Sequence, residues 1–206
     1  MSQLRFLSPD LARDDLGFAP LARSPLERLL RAAGATFEER HGWAVAASVP
    51  GEEERLARVG LADLSHLAKF EVRGGGGPMD GVEDAVWHGI RPDRSLVLAP
   101  TGRAGWLRDR LERAFPLVLD QTASYAILAV VGPEAPAAMR RVTHLHHFPA
   151  SGDVAHVAGH VLVRDGGFWV VVPQEYGHYV LEVALDAAGA FGGGLVGVDA
   201  LDRARA

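Results

Sequence analysis

The chain has 206 residues, 48% of them hydrophobic and 23% charged, with a formal net charge of -5 and no cysteine. That length and balance suit one globular domain, or two small halves packed together, with a sizeable core. Interspersed signs leave no basic face for nucleic acid, the missing thiols exclude disulfides and cysteine nucleophiles, and no stretch reaches the ~20 apolar residues of a membrane helix.

Residues 1–20 show little periodicity and no apolar run behind basic residues. They read as a flexible N-terminal arm, ordered only against a partner, on a cytoplasmic protein without a signal peptide. Ser24-Pro25-Leu26-Glu27 starts a helix: Ser24 caps, Pro25 fits the first turn and Glu27 completes a capping box. Leu26, Leu29 and Leu30 form its apolar face, and Gly34 ends it in a left-handed conformation. Two short strands, 35–40 and 43–49, turn about His41-Gly42. Glu52, Glu53 and Glu54 suit the positive end of a second helix, Arg55 and Arg58 its C-terminal half, and Gly60 stops it. The stretch from Gly60 to Gly74 reads mostly as one strand, with Leu64, Phe70 and Val72 toward a core.

Gly74 to Gly77, before Pro78, is a loop tip, since no P-loop Lys-Ser/Thr follows. Residues 79–89 read as a weak helix and 95–99 as a strand. Thr101 caps a helix to about Phe115, with Trp106 or Leu107, Leu111 and Phe115 as a core row. Strands over 117–120 and 124–131 precede a helix from Gly132-Pro133-Glu134 to about Val142. Strands over 156–163 and 168–172 pair across Asp165-Gly166. A helix from Pro173 carries Tyr176, Tyr179, Val180, Val183 and Leu185. The expectation is an α+β fold with antiparallel sheets and packed helices, one domain over 21–206, and two pseudo-repeated halves.

Gly192-Gly193-Gly194-Leu195-Val196-Gly197 matches Gly-x-Gly-x-x-Gly but follows a helix, so it does not read as a dinucleotide site. His144, His146, His147, His156 and His160 cluster, and two of them could share a strand face as metal ligands. With Asp153 the only acid within the cluster, surface histidines are the reading and no metal is expected. Ser65-His66 beside Asp63 resembles part of a triad, but adjacent strand residues face opposite ways and no Gly-x-Ser-x-Gly elbow exists. Tyr125, Trp169, Tyr176 and Tyr179 either line a flat ligand's cleft or belong to the core.

Gly60-Leu61-Ala62-Asp63-Leu64-Ser65-His66 is similar to the Gly-Leu-x-Asp-x-Ser-His segment of the glycine-cleavage T-protein (aminomethyltransferase) family. Ser24-Pro25-Leu26 with Gly34-Ala35 and Gly42-Trp43 resembles that family's opening. The run from Leu119 to Leu128 with Gly132-Pro133-Glu134-Ala135 resembles its Asp-x-Ser/Thr…Leu…Gly-Pro-x-Ala segment. Gly166-Gly167-Phe168 with Val172-Pro173, and the run from Gly194 to Leu201, follow in the family's order. The resemblance implies a tetrahydrofolate-binding fold over residues 24–202.

The departures fall where the family does its chemistry. In place of an Asn-Ala stretch and a catalytic Asp stands Pro100-Thr101-Gly102-Arg103-Ala104-Gly105, with no acid before Asp109. The folate-binding Glu falls near Asp165, the second Glu becomes Trp169, and two later arginines become Val198 and Asp202. The chain ends where the family's C-terminal barrel would begin. A half-length, acid-depleted member resembles the gamma subunit of heterotetrameric sarcosine oxidase, whose motifs are similar to Leu145-His146-His147-Phe148 with Gly152 and to Leu117-Val118-Leu119-Asp120. The implied role is an accessory or subunit protein of an oxidase or glycine-cleavage-type complex. The alternative is a folate-dependent enzyme with a diverged site. Asp63, Ser65, Tyr125, Asp165 and Trp169 are the candidate cleft residues for tetrahydrofolate, and no catalytic residue is assigned.

Overall fold

A computed structural model describes residues 21–75, 77–164 and 166–205. The N-terminal arm and Asp165 lie outside these described residues. In chain order the elements are α1 (Glu27–Ala32), β1 (Thr36–Arg40), β2 (Trp43–Ser48), α2 (Glu52–Leu56), β3 (Gly60–Asp63), β4 (Ala68–Arg73), β5 (Val86–Arg91), β6 (Arg94–Ala99), α3 (Ala104–Ala114), β7 (Leu117–Asp120), β8 (Tyr125–Val131), α4 (Ala135–Val142), β9 (Ala150–Val154), β10 (Val157–Arg164), β11 (Gly167–Pro173), α5 (Gly177–Gly189), β12 (Gly194–Leu195) and α6 (Val198–Arg205). They form two compact units interleaved along the chain. A larger unit takes residues 23–40, 44–65 and 125 onward, and a smaller one takes 41–43 and 66–124.

The larger unit is built on a six-stranded sheet in the order β12-β3-β8-β11-β10-β9. All pairings are antiparallel except β12 on β3. Strand alternation sends Leu61, Ala126, Leu128, Val130, Val161, Val170 and Val172 to one face, where they join Leu26 and Leu30 of α1, Met139 of α4 and Val180, Leu181 and Ala184 of α5 in one core. Each Leu, Val or Met side chain among them contributes about 1.5–3 kcal/mol on leaving water. Gly177 lets α5 approach the sheet, since a Cβ there would lie 2.8 Å from the Ala126 methyl carbon. The smaller unit is a four-stranded antiparallel sheet, β5-β6-β4-β7, with Phe70, Val72 and Val97 packed on Leu107 and Leu111 of α3.

The β1–β2 hairpin turns through His41 (φ 49°) and Gly42 (φ 80°), and Gly34 (φ 79°) closes α1, as the turn chemistry predicts. Strands β10 and β11 likewise pair antiparallel as expected, with Arg164 opposite Gly167. Other expectations are corrected. The stretch from Gly60 to Gly74 is two strands, β3 and β4, in two different sheets. Its break is chemical: the Asp63 carboxylate accepts the Ser65 N–H at 2.9 Å, which turns the backbone off the ladder. Residues 79–89 form no helix. Val82 and Ala85 sit in turns of the smaller core, and 86–91 run as β5 against β6. Strand β9 has no signature in the sequence, because Ser151-Gly152-Asp153 has loop composition and is held extended by its register with β10. Thr101 does not cap α3; its hydroxyl donates to the His66 carbonyl. Leu107, not the 41%-exposed Trp106, occupies the core row.

Candidate functional site

The β3–β8 crossing positions two of the candidate residues. Leu64 N–H donates to the Ile127 carbonyl at 2.8 Å, and the Ile127 N–H donates back to the Ser65 hydroxyl at 3.0 Å. Ser65 is 1% exposed and Asp63 is 7% exposed. Both therefore spend polar atoms on the backbone where the chain leaves the larger sheet. Ser65 and His66 stand in this turn rather than on a strand, so the opposite-faces argument against a triad does not hold there. The Ser65 oxygen is nonetheless committed to a backbone amide.

The second face of the larger sheet gathers the others. Register places Tyr125, Ile127 and Ala129 of β8 with Trp169 and Val171 of β11, His160 and Leu162 of β10, and Ser151 of β9. The Tyr125 and His160 rings meet edge-on with centroids 6.2 Å apart. His160 Nδ1 lies 2.8 Å from the Ser151 hydroxyl. The Ser151–His160 contact has no signature in the sequence, because their adjacency depends on the β9–β10 register. Trp169 is buried and its indole N–H has no hydrogen-bond partner, a state shared by Trp43 and Trp87 of the smaller unit. A buried donor left unsatisfied costs about 1–3 kcal/mol. Of β3, β8 and β11, only β3 carries a carboxylate, that of Asp63, and its register partner Leu128 puts it on the opposite face.

Electrostatics elsewhere serve structure. Glu52 Oε2 accepts the Val49 and Gly197 N–H groups at 2.8 and 2.9 Å, and Oε1 accepts Arg203 at 2.9 Å. Burial pushes this carboxyl up, but the two amides and the guanidinium together hold it below its ordinary range. Glu71 in β4 follows the same pattern: burial raises it, and Arg94 and Arg73 bring it down. Burial lowers His88 in β5. No group of three or more His, Asp or Glu among the described residues could hold a metal ion, and His144, His146, His147 and His156 are exposed. In the Gly192–Gly197 run the glycines serve close packing: a Cβ on Gly197 would lie 2.0 Å from the Ala47 carbonyl oxygen. No helix among the described residues is long and apolar enough to cross a membrane.

An aminomethyltransferase of Mycobacterium tuberculosis is 27% identical over 228 residues, covering 90% of this chain and 62% of that protein. One from Streptomyces avermitilis is 29% identical over 154 residues, covering 57% of this chain and 41% of its own. The glycine cleavage system aminomethyltransferase T from Bartonella henselae superposes with a TM-score of 0.72 at 22% identity, over 90% of this chain and 62% of that one. A chain of the heterotetrameric sarcosine oxidase from Corynebacterium sp. U-96 superposes with a TM-score of 0.61 at 19% identity, over 82% of this chain and 96% of that one. The chain spans less than two thirds of the length of the curated relatives it matches. No protein-family model matches it. The fold is that of the aminomethyltransferase T-protein, an α+β architecture with antiparallel sheets and packed helices.

Proposed function

We propose that this chain is an accessory or subunit protein of glycine- or sarcosine-linked one-carbon metabolism, cytoplasmic, and joined to partner subunits of an oxidase or glycine-cleavage-type complex. In this reading the larger sheet binds and does not catalyse. The observation that carries it is the absence of any carboxylate on the second face of β3, β8 and β11, while Asp63 and Ser65 are bound to the backbone. A pterin ring presents paired donors that a carboxylate matches and an indole N–H does not. What remains for tetrahydrofolate is one unpartnered donor, the Trp169 N–H, with the half-buried Tyr125 and His160 rings on the same face. Asp165 belongs to the same proposal as a candidate from sequence alone.

Calorimetric titration with tetrahydrofolate and 5-formyltetrahydrofolate tests this, alongside an assay for methylenetetrahydrofolate formed from sarcosine or glycine. The expected result is binding between the micromolar and millimolar ranges, about -8 to -4 kcal/mol, with no turnover. Trp169→Phe should weaken it about tenfold, the ~1.4 kcal/mol of one buried hydrogen bond. Turnover by the isolated chain would overturn the accessory role, and no binding at millimolar ligand would remove folate from it. A second reading, an enzyme with a diverged site, is favoured by the Ser151–His160–Tyr125 group, whose imidazole already has an oriented hydroxyl partner. In that case His160→Gln abolishes turnover while binding survives.

A further inference from the structure

A cavity of about 280 Å³ opens on the larger unit where the last turn of α4 meets the β9–β10 turn and α5. It is lined by the guanidinium-bearing Arg140 and Arg141, by His144 and His156, and by Tyr179. This concentration of cationic and donor groups stands out in a chain whose net charge is -5. Arg58, Arg73, Arg94, Arg108 and Arg203 each pair with a carboxylate. Among the described residues no carboxylate pairs with Arg140 or Arg141. One acid, Asp153, reaches the lining, and its Oδ1 accepts the His156 N–H at 3.0 Å, so it shapes the turn.

The wall is costly to build. Ala155 (φ 51°) and His156 (φ 63°) are consecutive left-handed residues with side chains, in a two-residue turn where Asn-Gly is the usual solution. The turn is tied down by the Ala155 N–H donating to the Val142 carbonyl at 2.8 Å and by the Thr143 hydroxyl donating to the Asp153 carbonyl. Backbone held in this region marks sites where a side chain's placement matters. Here it sets His156 on the wall of the cavity that Arg140 and Arg141 also line. The negative end of the α4 dipole accounts for a basic residue in its last turn. It does not account for an imidazole, that of His156, arriving from the β9–β10 turn, nor for the strained backbone that delivers it.

We propose that this cavity is an oxyanion site that takes the phosphate group of a small phosphorylated metabolite. Two forked guanidiniums with imidazole and phenol donors from separate directions suit a tetrahedral dianion, whose oxygens point several ways, better than a planar carboxylate. The proposal is independent of the folate reading, which rests on the side chains of the sheet's second face.

The test is an amide NMR titration of the full chain with inorganic phosphate, with glutarate as the carboxylate arm. Phosphate should shift the Thr143, Ala155 and His156 amides saturably, with a millimolar dissociation constant. Glutarate should bind at least threefold more weakly. Arg140→Gln with Arg141→Gln should weaken phosphate at least tenfold, whereas Arg113→Gln on α3 should change nothing. Both variants alter exposed side chains, and an unchanged thermal midpoint verifies their fold. Linear shifts without saturation, or equal affinity in the double variant, would overturn the site. An equal response to glutarate would overturn its assignment to phosphate.

Discussion

Removing the Glu52 carboxylate should destabilise the protein by an amount its bonds set. Glu52 opens α2 and is 7% exposed. Glu52→Ala strips the acceptor from the Val49 and Gly197 amides, and each buried N–H left unsatisfied costs about 1–3 kcal/mol. The Arg203 contact adds little, about 0–1 kcal/mol, because that guanidinium is 60% exposed. The sum is about 2–7 kcal/mol. Glu52→Gln keeps one oxygen for the two amides but loses charge assistance, which roughly halves such bonds, and turns an NH2 toward Arg203. Its cost is about 1–2 kcal/mol. Urea unfolding of the three proteins at pH 7 measures both gaps as shifts in midpoint at constant slope. The pH dependence follows from a carboxyl held low in the folded state. Its stabilisation is complete above the unfolded value of about 4.3 and is lost as pH falls from there through the folded value. The gap between wild type and Glu52→Gln should therefore narrow below about pH 4.3. A Gln variant as stable as wild type at pH 7, or a gap that does not narrow in acid, would refute this account.

Ser65→Ala removes the acceptor of the Ile127 N–H at a site only 1% exposed. It should cost about 1–3 kcal/mol and speed hydrogen exchange at Ile127 more than at Val171. Gly197→Ala places a methyl 2.0 Å from the Ala47 carbonyl oxygen, backbone that cannot rotate away. The cost should reach or exceed the top of the usual ~1–3 kcal/mol for overpacking, seen as a lowered melting temperature or loss of soluble protein.

The parts of the fold read correctly from sequence are those whose physics is local. Gly34, His41-Gly42 and Gly166 needed particular backbone conformations, and the apolar spacing of α1 and α5 required only a helix period. The failures are places where a distant partner overrides local preference. At Gly60 to Gly74 an Asx turn at Asp63, bonded to Ile127, breaks an otherwise continuous strand pattern. Residues 79–89 have helix-compatible composition, but pairing with β6 makes them extended. Glu52 reads as a dipole partner, and nothing nearby in sequence announces the Gly197 amide it binds. Of the candidate site, Tyr125 and Trp169 were legible as aromatic strand residues. The Ser151–His160 contact waits on register, and the Arg140–His156 cavity waits on a turn with no glycine to betray it.

The antiparallel neighbours β3 and β8 carry a consequence for how the chain emerges from the ribosome. Asp63 lies opposite Leu128, so β3 has no antiparallel partner until residues some sixty positions later have been made. The intervening 66–124 segment contains the whole four-stranded sheet and its helix, with all of its pairings internal. Local contacts close faster than distant ones. During synthesis, then, the segment spliced into the middle should gain structure first. Leu61 and Ala62 meanwhile wait as an open apolar edge, the kind of exposure that chaperones screen.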